Sequence, residues 1–131
     1  MNRAYKFRIY PTRKQEILIH KTFGCCRFVY NHMLADKKQA YEETKKTIKI
    51  THAAYKKEYP WLKEVDSLAL ANEQLHLERA YRKFFEESKI GFPKFKSKHG
   101  SRKSYTTNVV NGNIWISEGK LRLPKTGTVK I

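Results

Sequence analysis

Apolar and basic side chains alternate over residues 5–10, and this period of two predicts a β-strand near the start of the chain. Pro11 lacks a backbone N–H and would end that strand. The strand would have an apolar face and a largely basic face, which carry Tyr5, Phe7 and Ile9 on one side and Lys6, Arg8 and Tyr10 on the other.

The hydrophobic period then changes to that of an α-helix. Thr12, followed by Gln15, has the pattern of a capping box and predicts a long helix from Arg13 into the forties. Gly24 interrupts this helix at a cost of about 1 kcal/mol relative to alanine, and it would permit a close helix contact or a bend. The stripe expected to face the core contains Leu18, Thr22, Cys25, Val29 and Met33.

Two further helices are predicted in the centre of the chain. Thr51 is the expected cap of a short helix that stops before Pro60. Asp66 and Ser67 precede a longer helix over about residues 68–87. The apolar positions of this longer helix are Leu68, Ala71, Leu75, Leu77, Tyr81, Phe84 and Phe85. The three helices together predict a helical bundle.

A period of two returns after the turn-forming residues 91–100. Residues 105–110 are one strand candidate, and residues 113–116 are predicted to pair with 121–123 in a hairpin that turns at Gly119. Residues 129–131 have the pattern of one more strand, and the sequence stops within it. We therefore expect an α+β fold with terminal strands around inserted helices, in a chain truncated at its C-terminus.

Charge follows the same division. The 131 residues contain 28 Lys and Arg against 12 Asp and Glu, for a net charge of +16 with neutral histidines. The first fifteen residues hold five basic residues and no acid, and residues 88–131 hold ten basic residues and one acid. This excess predicts a polyanionic partner. A hydrophobic content of 40% is too high for a disordered basic tail.

Catalytic and metal chemistry are not predicted, and we expect no cofactor in this chain. Phosphodiester cleavage by two metal ions needs several converging carboxylates, and the β-rich part offers Glu118 alone. The five histidines lack ligand spacing. The acids of the centre alternate with basic residues at helix-surface spacing and are expected to face solvent: Glu42, Glu43, Glu73, Glu78, Glu86 and Glu87.

The cellular compartment is predicted from two absences. The chain starts with a polar, charged segment and contains no long apolar run, so neither a signal peptide nor a membrane partner is expected. Cys25 and Cys26 are adjacent in a predicted helix, where they can neither pair with each other nor form a zinc site. We expect free thiols packed in a core and a reducing compartment such as the cytoplasm.

Nucleic-acid contacts are predicted at both basic ends. Lys6 and Arg8, with Arg13 and Lys14 nearby, have no adjacent acid and suit phosphate groups, although an ordinary solvated strand face is the alternative. The second candidate is the basic segment 89–103, for which a flexible linker is the alternative. Its predicted contact residues are Lys94, Lys96, Lys98, Arg102 and Lys103, with Phe92 and Phe95 either stacking on bases or packing inward.

Polar residues near the helices are further candidates. The start of the third helix would present free N–H groups to the end of a DNA duplex. Arg27 and Asn31 share one face of the first helix and either grip RNA or tie that helix to the sheet, and we favour the second role. Ser67, Leu68 and Asn72 are the candidates at the start of the third helix, and Tyr55 and Lys56 are candidates for the same surface. The remaining candidate contacts are Thr106, Thr107 and Asn108, for which structural capping is the alternative.

Several of these segments together resemble one known family. Residues 5–11 (YKFRIYP) and 22–31 (TFGCCRFVYN) closely resemble the amino-terminal region of TnpB-type proteins. These OrfB-type transposase proteins are encoded by insertion-sequence transposons and are relatives of the type V CRISPR nucleases. Four later motifs agree in order and spacing: residues 80–85 (AYRKFF), 91–96 (GFPKFK), 104–108 (SYTTN) and 121–125 (LRLPK).

The resemblance implies an OB-like, partly open β-barrel, the wedge domain, that is split by an inserted helical recognition domain. The expected parts are residues 1–11 and 89–131 for the wedge and 12–88 for the helix-turn-helix-like recognition domain. Guide RNA and double-stranded DNA are the implied partners. A RuvC-like nuclease, which uses Mg²⁺, and a zinc module are expected beyond residue 131. This chain would then bind guide RNA and a target-flanking DNA motif without being an enzyme itself.

Two alternatives remain from the sequence. The first is a stand-alone DNA-binding regulator built on a helix-turn-helix-like pair of the first two helices. A compact regulator of that kind does not need the basic β-rich end of this chain. The second is a ribosome-associated basic protein, which fits the charge but leaves the motifs shared with the transposon proteins unexplained.

We predict that the isolated chain, supplied with Mg²⁺ or Mn²⁺, cuts neither DNA nor RNA, because its sequence lacks a set of carboxylates to hold the metal ions. Gel assays with labelled DNA and RNA measure this, and Glu118→Gln is the control. Metal-dependent cleavage that survives Glu118→Gln and the removal of contaminating nucleases would contradict the prediction.

Overall fold

A computed structural model of the chain describes residues 3–46, 48–100 and 103–131. Within these residues, three α-helices and a three-stranded antiparallel sheet form an α+β fold, as the sequence predicts. The helices are α1 (Arg13–Thr44), α2 (Ala54–Glu58) and α3 (Ser67–Glu86), with 3₁₀ turns at Pro60–Glu64 and Ser88–Ile90. The strands are β1 (Trp115–Ser117), β2 (Lys120–Leu123) and β3 (Gly127–Lys130), paired in that order.

The first helix begins where its sequence predicts. The Gln15 backbone N–H donates to the Thr12 hydroxyl over 3.3 Å, and the Thr12 backbone N–H donates to the Gln15 side-chain oxygen over 2.9 Å. This reciprocal pair confirms the capping box. The predicted inward stripe is also confirmed, because Thr22, Cys25, Val29 and Met33 are buried. Cys25 and Cys26 are both buried free thiols.

Gly24 has no close neighbour. A Cβ atom built at this position would lie 3.8 Å from the Arg27 guanidinium and would meet no other neighbouring side chain or helix within 4 Å. The close helix contact considered from the sequence is therefore absent, and α1 continues through Gly24 without interruption.

The short second helix ends before Pro60 as predicted, but Thr51 does not cap it with its side chain. Thr51 contributes its backbone carbonyl, which accepts from the Ala54 N–H over 3.2 Å, and α2 has no side-chain cap. The third helix is capped by Asp66, whose carboxylate accepts from the Leu68 N–H over 3.0 Å. That cap confirms the predicted start of α3.

The buried face of α3 is rotated from the predicted one. Leu75, predicted to face the core, is 51% exposed. The residues of α3 that are buried are Ala69, Leu70, Asn72, Glu73 and Leu77. Two of them are polar because this face contacts both the apolar side of α1 and a polar segment that follows the helices. Apolar periodicity alone could not indicate that second neighbour.

The helical core lies mainly between α1 and α3. Its fully buried side chains include Val29, Met33, Leu34, Leu62, Leu70 and Leu77. The short helix contributes Tyr55, whose hydroxyl donates to the Asp36 carboxylate over 2.6 Å. A second, smaller core lies under the sheet, where Leu121, Leu123 and Val129 are buried against Ile9, Ile114 and Ile131.

The predicted hairpin is confirmed. β1 pairs with β2 across a two-residue turn, in which Glu118 and Gly119 have φ angles of 49° and 74°. Positive φ at both positions is the geometry of a type I′ turn, which matches the twist of antiparallel strands. The strand predicted over residues 129–131 is observed as β3, which pairs with β2.

The strand predicted over residues 5–10 is wrong. Residues 3–9 form no ladder, and Tyr10 alone makes an antiparallel bridge, in which its N–H donates to the Lys130 carbonyl over 2.7 Å. Of the expected apolar face, Tyr5 is 73% exposed and Phe7 is also exposed, whereas Ile9 packs against the core under the sheet. The expected pairing of the start of the chain with its C-terminal strands therefore holds at one position. The described sheet is open, and a closed barrel is not observed in it.

The strand predicted over residues 105–110 is also wrong. This segment is held by its side chains rather than by a backbone ladder. The Thr107 hydroxyl donates to the Asp66 carboxylate, and the Asn108 amide oxygen accepts from the Asn72 side chain over 2.7 Å. Tyr105 packs against the helical core. Because the polar groups of α3 bind this segment, it crosses the helices instead of joining the sheet.

Across the described part of the chain, none of the helices is both long enough and apolar enough to cross a membrane.

We predict that Asp66→Ala destabilises the protein by about 2–3 kcal/mol, because it removes the cap of α3 and leaves the Thr107 hydroxyl without its acceptor. Urea denaturation followed by circular dichroism measures this loss. Thr51→Ala is the matched control and should change stability by less than about 0.5 kcal/mol. Equal effects of the two substitutions would contradict the assignment of the cap.

We predict that Gly24→Ala stabilises the protein by about 0.5–1 kcal/mol, because alanine is a better helix former and its Cβ is accommodated here. A rise in the urea midpoint at constant slope checks this. A lower midpoint would mean that the backbone at Gly24 requires glycine.

Candidate nucleic-acid interface

One face of the sheet is basic. The register aligns Trp115, Arg122 and Thr128 in one row across the three strands, and Ser117, Lys120 and Lys130 in the next. All of these side chains are exposed, whereas the intervening Leu121, Leu123 and Val129 are buried on the opposite face. The alternation of the strands therefore separates the cations of the sheet from its core.

The cations of this face have no acidic partner among the described residues. The ion pairs among the described residues are His20–Glu16, Lys21–Glu64, His76–Glu73 and Lys96–Glu73. None of these pairs involves a residue of the sheet. Lys120 and Lys130 are direct cross-strand partners. Like charges placed opposite each other destabilise a sheet. This face therefore carries positive charge that the described fold does not neutralise.

The basic start of the chain lies at the edge of the same sheet. Besides the bridge from Tyr10 to Lys130, the Gln15 side-chain amide donates to the Thr128 carbonyl over 2.6 Å. Arg13 and Lys14 occupy the first turn of α1, next to these contacts. Cations there face the positive end of the helix dipole, which disfavours them by about 0.3–1 kcal/mol. We call Arg13, Lys14, Lys120, Arg122 and Lys130, with Trp115, the basic sheet surface.

Most of this surface was missed from the sequence. Arg13 and Lys14 were predicted, and Lys6 and Arg8 precede them as exposed residues. Lys120, Arg122, Lys130 and Trp115 were not predicted. The signal was present, because basic and apolar residues alternate over 120–123 just as they do over 5–10.

The basic segment 89–103 is partly structural. The Asn31 side chain accepts from the Lys96 backbone N–H over 2.8 Å and donates to its carbonyl over 2.9 Å. Asn31 therefore ties α1 to the basic segment and not, as expected from the sequence, to the sheet. The Lys96 ammonium lies 3.3 Å from the Glu73 carboxylate and 4.2 Å from the centre of the Tyr30 ring. The charge of Lys96 is thus engaged within the protein.

The expectation that Glu73 faces solvent is wrong. Its side chain is 8% exposed and also lies 3.4 Å from the His76 ring. The alternation of acidic and basic residues along α3 predicted a solvated position for Glu73. That local pattern contains no information on the later basic segment, which packs on α3 and covers Glu73. Burial of Tyr30, aided by the Glu73 charge, raises the pKa of the Tyr30 hydroxyl above its usual value, so this hydroxyl stays neutral.

Other parts of the basic segment remain accessible. Lys94, Lys98 and Lys103 are exposed and form no ion pair within the part of the chain that the structure describes, whereas the predicted contact Arg102 lies outside that part. Phe95 is also exposed, and Phe92 packs in edge-to-face contacts on Tyr81 and Phe84. The Lys38 ammonium lies 5.3 Å from the rings of both Phe92 and Phe95.

The start of α3 divides into internal and exposed residues. Asn72 is buried, and its amide donates to the Leu68 carbonyl over 2.8 Å as well as to Asn108. The Thr107 hydroxyl donates a hydrogen bond to the Asp66 carboxylate and is not free to bind a ligand. These contacts correspond to the structural alternative for Thr107 and Asn108, and they engage the side chain of Asn72 within the protein. Ser67 and Thr106 are exposed, and Leu68 is half-buried.

The predicted contacts in α2 also differ from each other. Tyr55 is buried, and its hydroxyl is held by Asp36, so it does not face the surface. Burial and that hydrogen bond raise the pKa of Tyr55 well above its usual value. Lys56 is half-buried and is the remaining candidate in this helix.

The potential metal ligands of the described residues are dispersed. No three side chains of His, Cys, Asp or Glu converge there in a way that could hold a metal ion. Burial and the nearby Glu73 charge raise the pKa of Cys26 well above its usual value, which keeps its thiol protonated. The two cysteines act as small packing residues of the core.

Comparisons with known proteins give a consistent family. The helix-turn-helix domain family of OrfB proteins from IS605 matches residues 1–46, which hold the initial extended segment and the single long helix α1. A protein of Streptomyces pristinaespiralis named as a candidate RNA-guided DNA endonuclease is 36% identical over 135 residues. That match covers 96% of this chain and 32% of the relative.

Two further relatives agree with it. InsQ of Escherichia coli K12, also named as a candidate RNA-guided DNA endonuclease, is 35% identical over 102 residues, which cover 72% of this chain and 25% of InsQ. Virulence protein VsdF of Salmonella dublin is 40% identical over 115 residues, which cover 76% of this chain and 97% of VsdF. The chain thus spans a third or less of the two relatives with endonuclease names and nearly all of VsdF.

The family match covers residues 1–46, and the match to the Streptomyces relative extends over nearly the whole chain. The chain therefore belongs to the TnpB-type OrfB family and corresponds to the amino-terminal region of that family.

Proposed function

We propose that this chain is the nucleic-acid-binding amino-terminal part of an RNA-guided DNA endonuclease, which holds guide RNA and recognises a DNA motif that flanks the target. The observation that carries the proposal is the basic sheet surface, whose cations have no acidic partner among the described residues. The names of the relatives from Streptomyces and Escherichia coli support the choice of partners.

The opposition of Lys120 and Lys130 favours a bound phosphate. Side chains that are directly opposed in an antiparallel pair have Cβ atoms about 4.5–5.5 Å apart. A phosphate group placed between two such ammonium groups converts their mutual repulsion into attraction to a common anion. Trp115, in the neighbouring row, is 48% exposed and offers a ring on which an unpaired base could stack. A strand of RNA supplies both the phosphates and the unpaired bases.

The two basic ends form one binding unit in this proposal. Residues 1–11 and 89–131 make up the wedge, and residues 12–88 are the inserted helical recognition domain. The bridge between Tyr10 and Lys130 supports this division because it joins the two parts of the wedge. An OB-like barrel would require strands in addition to the three described here.

Duplex DNA is assigned to a different surface. We place the target-flanking motif at the exposed start of α3, near Ser67, Leu68 and Thr106, with Lys56 on the adjacent short helix. The free N–H groups expected at this start are already bound by Asp66, whose carboxylate accepts from Leu68 and whose carbonyl accepts from Ala69, so the proposed DNA contacts are made by the exposed side chains. DNA cleavage itself is assigned to the part of the endonuclease relatives that this chain does not match.

A stand-alone helix-turn-helix regulator is the second candidate, and the family match to residues 1–46 favours it. The turn of that motif usually has three or four residues between two helices. Here the 32-residue α1 is followed by the nine residues 45–53 and then by a helix of five residues. The spacing of α1 and α2 therefore supports the first candidate better.

We predict that replacing Lys120, Arg122 and Lys130 together with alanine lowers the affinity for structured RNA and reduces the slope of log affinity against log salt by about 2 units, since each lost phosphate contact removes about 0.7–0.9. Fluorescence anisotropy of labelled RNA at several salt concentrations measures both quantities. A helical duplex DNA of the same length measures the preference between partners.

The matched control replaces Lys45, Lys46 and Lys49 with alanine, which removes the same charge from the exposed connection between α1 and α2. It should leave the salt slope within about 0.5 units of that of the unmodified chain. An identical loss in both triple variants would show that net charge alone drives binding and would contradict the assignment to the sheet. Preference for duplex DNA over RNA would favour the regulator.

A further inference from the structure

A cleft beside α1 is not used by the proposed RNA and DNA surfaces. It has a volume of about 370 Å³ and is lined by Gly24, Arg27, Phe28, Asn31, His32 and Trp61. Ligand pockets in proteins usually measure about 300–1,000 Å³, so this cleft has room for one nucleotide-sized group. Gly24 contributes no side chain, which leaves that part of the cleft wall open.

Aromatic rings form the wall of this cleft and are held in place by each other. Phe28 stacks on His32 with ring centres 4.0 Å apart, and its ring centre lies 4.7 Å from that of Trp61 in an edge-to-face contact. Tyr59 lies 4.8 Å from Phe28, and its hydroxyl is 3.3 Å from His32 Nε2. Contacts of this kind order the rings before any ligand arrives.

Trp61 is nevertheless 43% exposed, although it belongs to this ordered cluster. Pro60 precedes it at the first position of a 3₁₀ turn and restricts the backbone there. An exposed tryptophan that is already ordered offers a stacking surface at a low entropic cost. Aromatic faces of this type bind unpaired bases in a sequence-tolerant way.

Arg27 supplies the positive charge of the cleft. Its guanidinium forms no ion pair and no hydrogen bond with the residues that the structure describes, although the side chain is half-buried. Guanidinium groups bind phosphates in a forked geometry and also stack on planar groups. The cleft therefore combines an aromatic wall with a cation that has no acidic partner among the described residues. These two features complement the base and the phosphate of a nucleotide.

We propose that this cleft binds one unpaired nucleotide of a nucleic-acid strand, with its base stacked on Trp61 and its phosphate or base edge contacted by Arg27. The proposal rests on the proposed function, because the rest of the strand is held by the basic sheet surface. A free nucleotide has the same chemistry, but it lacks the additional phosphates that the +16 chain attracts.

Fluorescence of Trp61 tests the proposal directly. Trp115→Phe leaves Trp61 as the one tryptophan of the chain and keeps an aromatic ring on the sheet. Titration with a single-stranded RNA dodecamer should quench this fluorescence at low salt, because a stacked base quenches tryptophan. Adenosine monophosphate should not quench it at the same concentration. Quenching by the monophosphate at concentrations equal to those of the RNA would overturn the assignment to a strand.

Two substitutions at one position test the cleft without removing an aromatic ring. Gly24→Leu fills the space next to Arg27, whereas Gly24→Ala, its matched control, leaves most of it open. We expect Gly24→Leu to abolish quenching and to weaken RNA binding by roughly 5- to 150-fold, the usual range for the loss of one stacked base. Trp61→Ala removes the stacking ring itself and should weaken RNA binding to a similar extent, as measured by anisotropy. Circular dichroism checks that each variant is folded.

The outcomes separate this proposal from the proposed function. If RNA binds, as measured by anisotropy, without quenching Trp61 fluorescence, the proposal for the cleft is wrong. The assignment of RNA binding to the basic sheet surface is then unaffected. Unchanged RNA affinity in folded Gly24→Leu and Trp61→Ala also overturns the proposal for the cleft. No binding of RNA at low salt overturns both proposals. Quenching at saturating RNA that persists after replacement of Lys120, Arg122 and Lys130 supports a separate site for the base.

Discussion

Two buried carboxylates, one at the cap of α3 and one within the helix, hold the segment that follows α3. Asp66 and Glu73 are 4% and 6% exposed, and a carboxylate at that depth requires charged or hydrogen-bonded partners. Their partners include Thr107 and Lys96, which belong to one segment. That segment must therefore cross α3 and meet α1 before the chain enters the sheet. The sheet that follows is then held beside the start of α1 by the hydrogen bonds of Tyr10 and Gln15 with β3.

Local signals predicted the elements that depend on neighbouring residues. The capping box at Thr12, the cap at Asp66 and the hairpin turn at Gly119 each involve residues within four positions of one another, so the sequence contains all of their determinants. The strands expected over residues 5–10 and 105–110 have the correct period but no matching partner strand. A period of two indicates an extended backbone and does not identify what that backbone will bind.

The same limit explains which candidate contacts could be found. Lys94 and Lys96 are equivalent in the sequence, yet Lys96 is occupied by Glu73, which lies 23 positions away, while Lys94 is exposed. The basic face of the sheet follows from the alternation of basic and apolar residues, so it could have been predicted from the sequence. The exposure of Trp61 could not, because a single tryptophan in a turn has no period and its exposure depends on how three helical segments meet.

The hydrogen bond between Tyr10 and Lys130 also sets an order of events during synthesis. Arg13 and Lys14 of the basic sheet surface leave the ribosome early. The other cations of this surface, on β2 and β3, are translated more than one hundred residues later. Closing so long a loop is slow, because the entropy of the intervening chain is lost before the contact forms. The nascent chain therefore carries separated positive charges, and the basic sheet surface is assembled only after β2 and β3 have been translated.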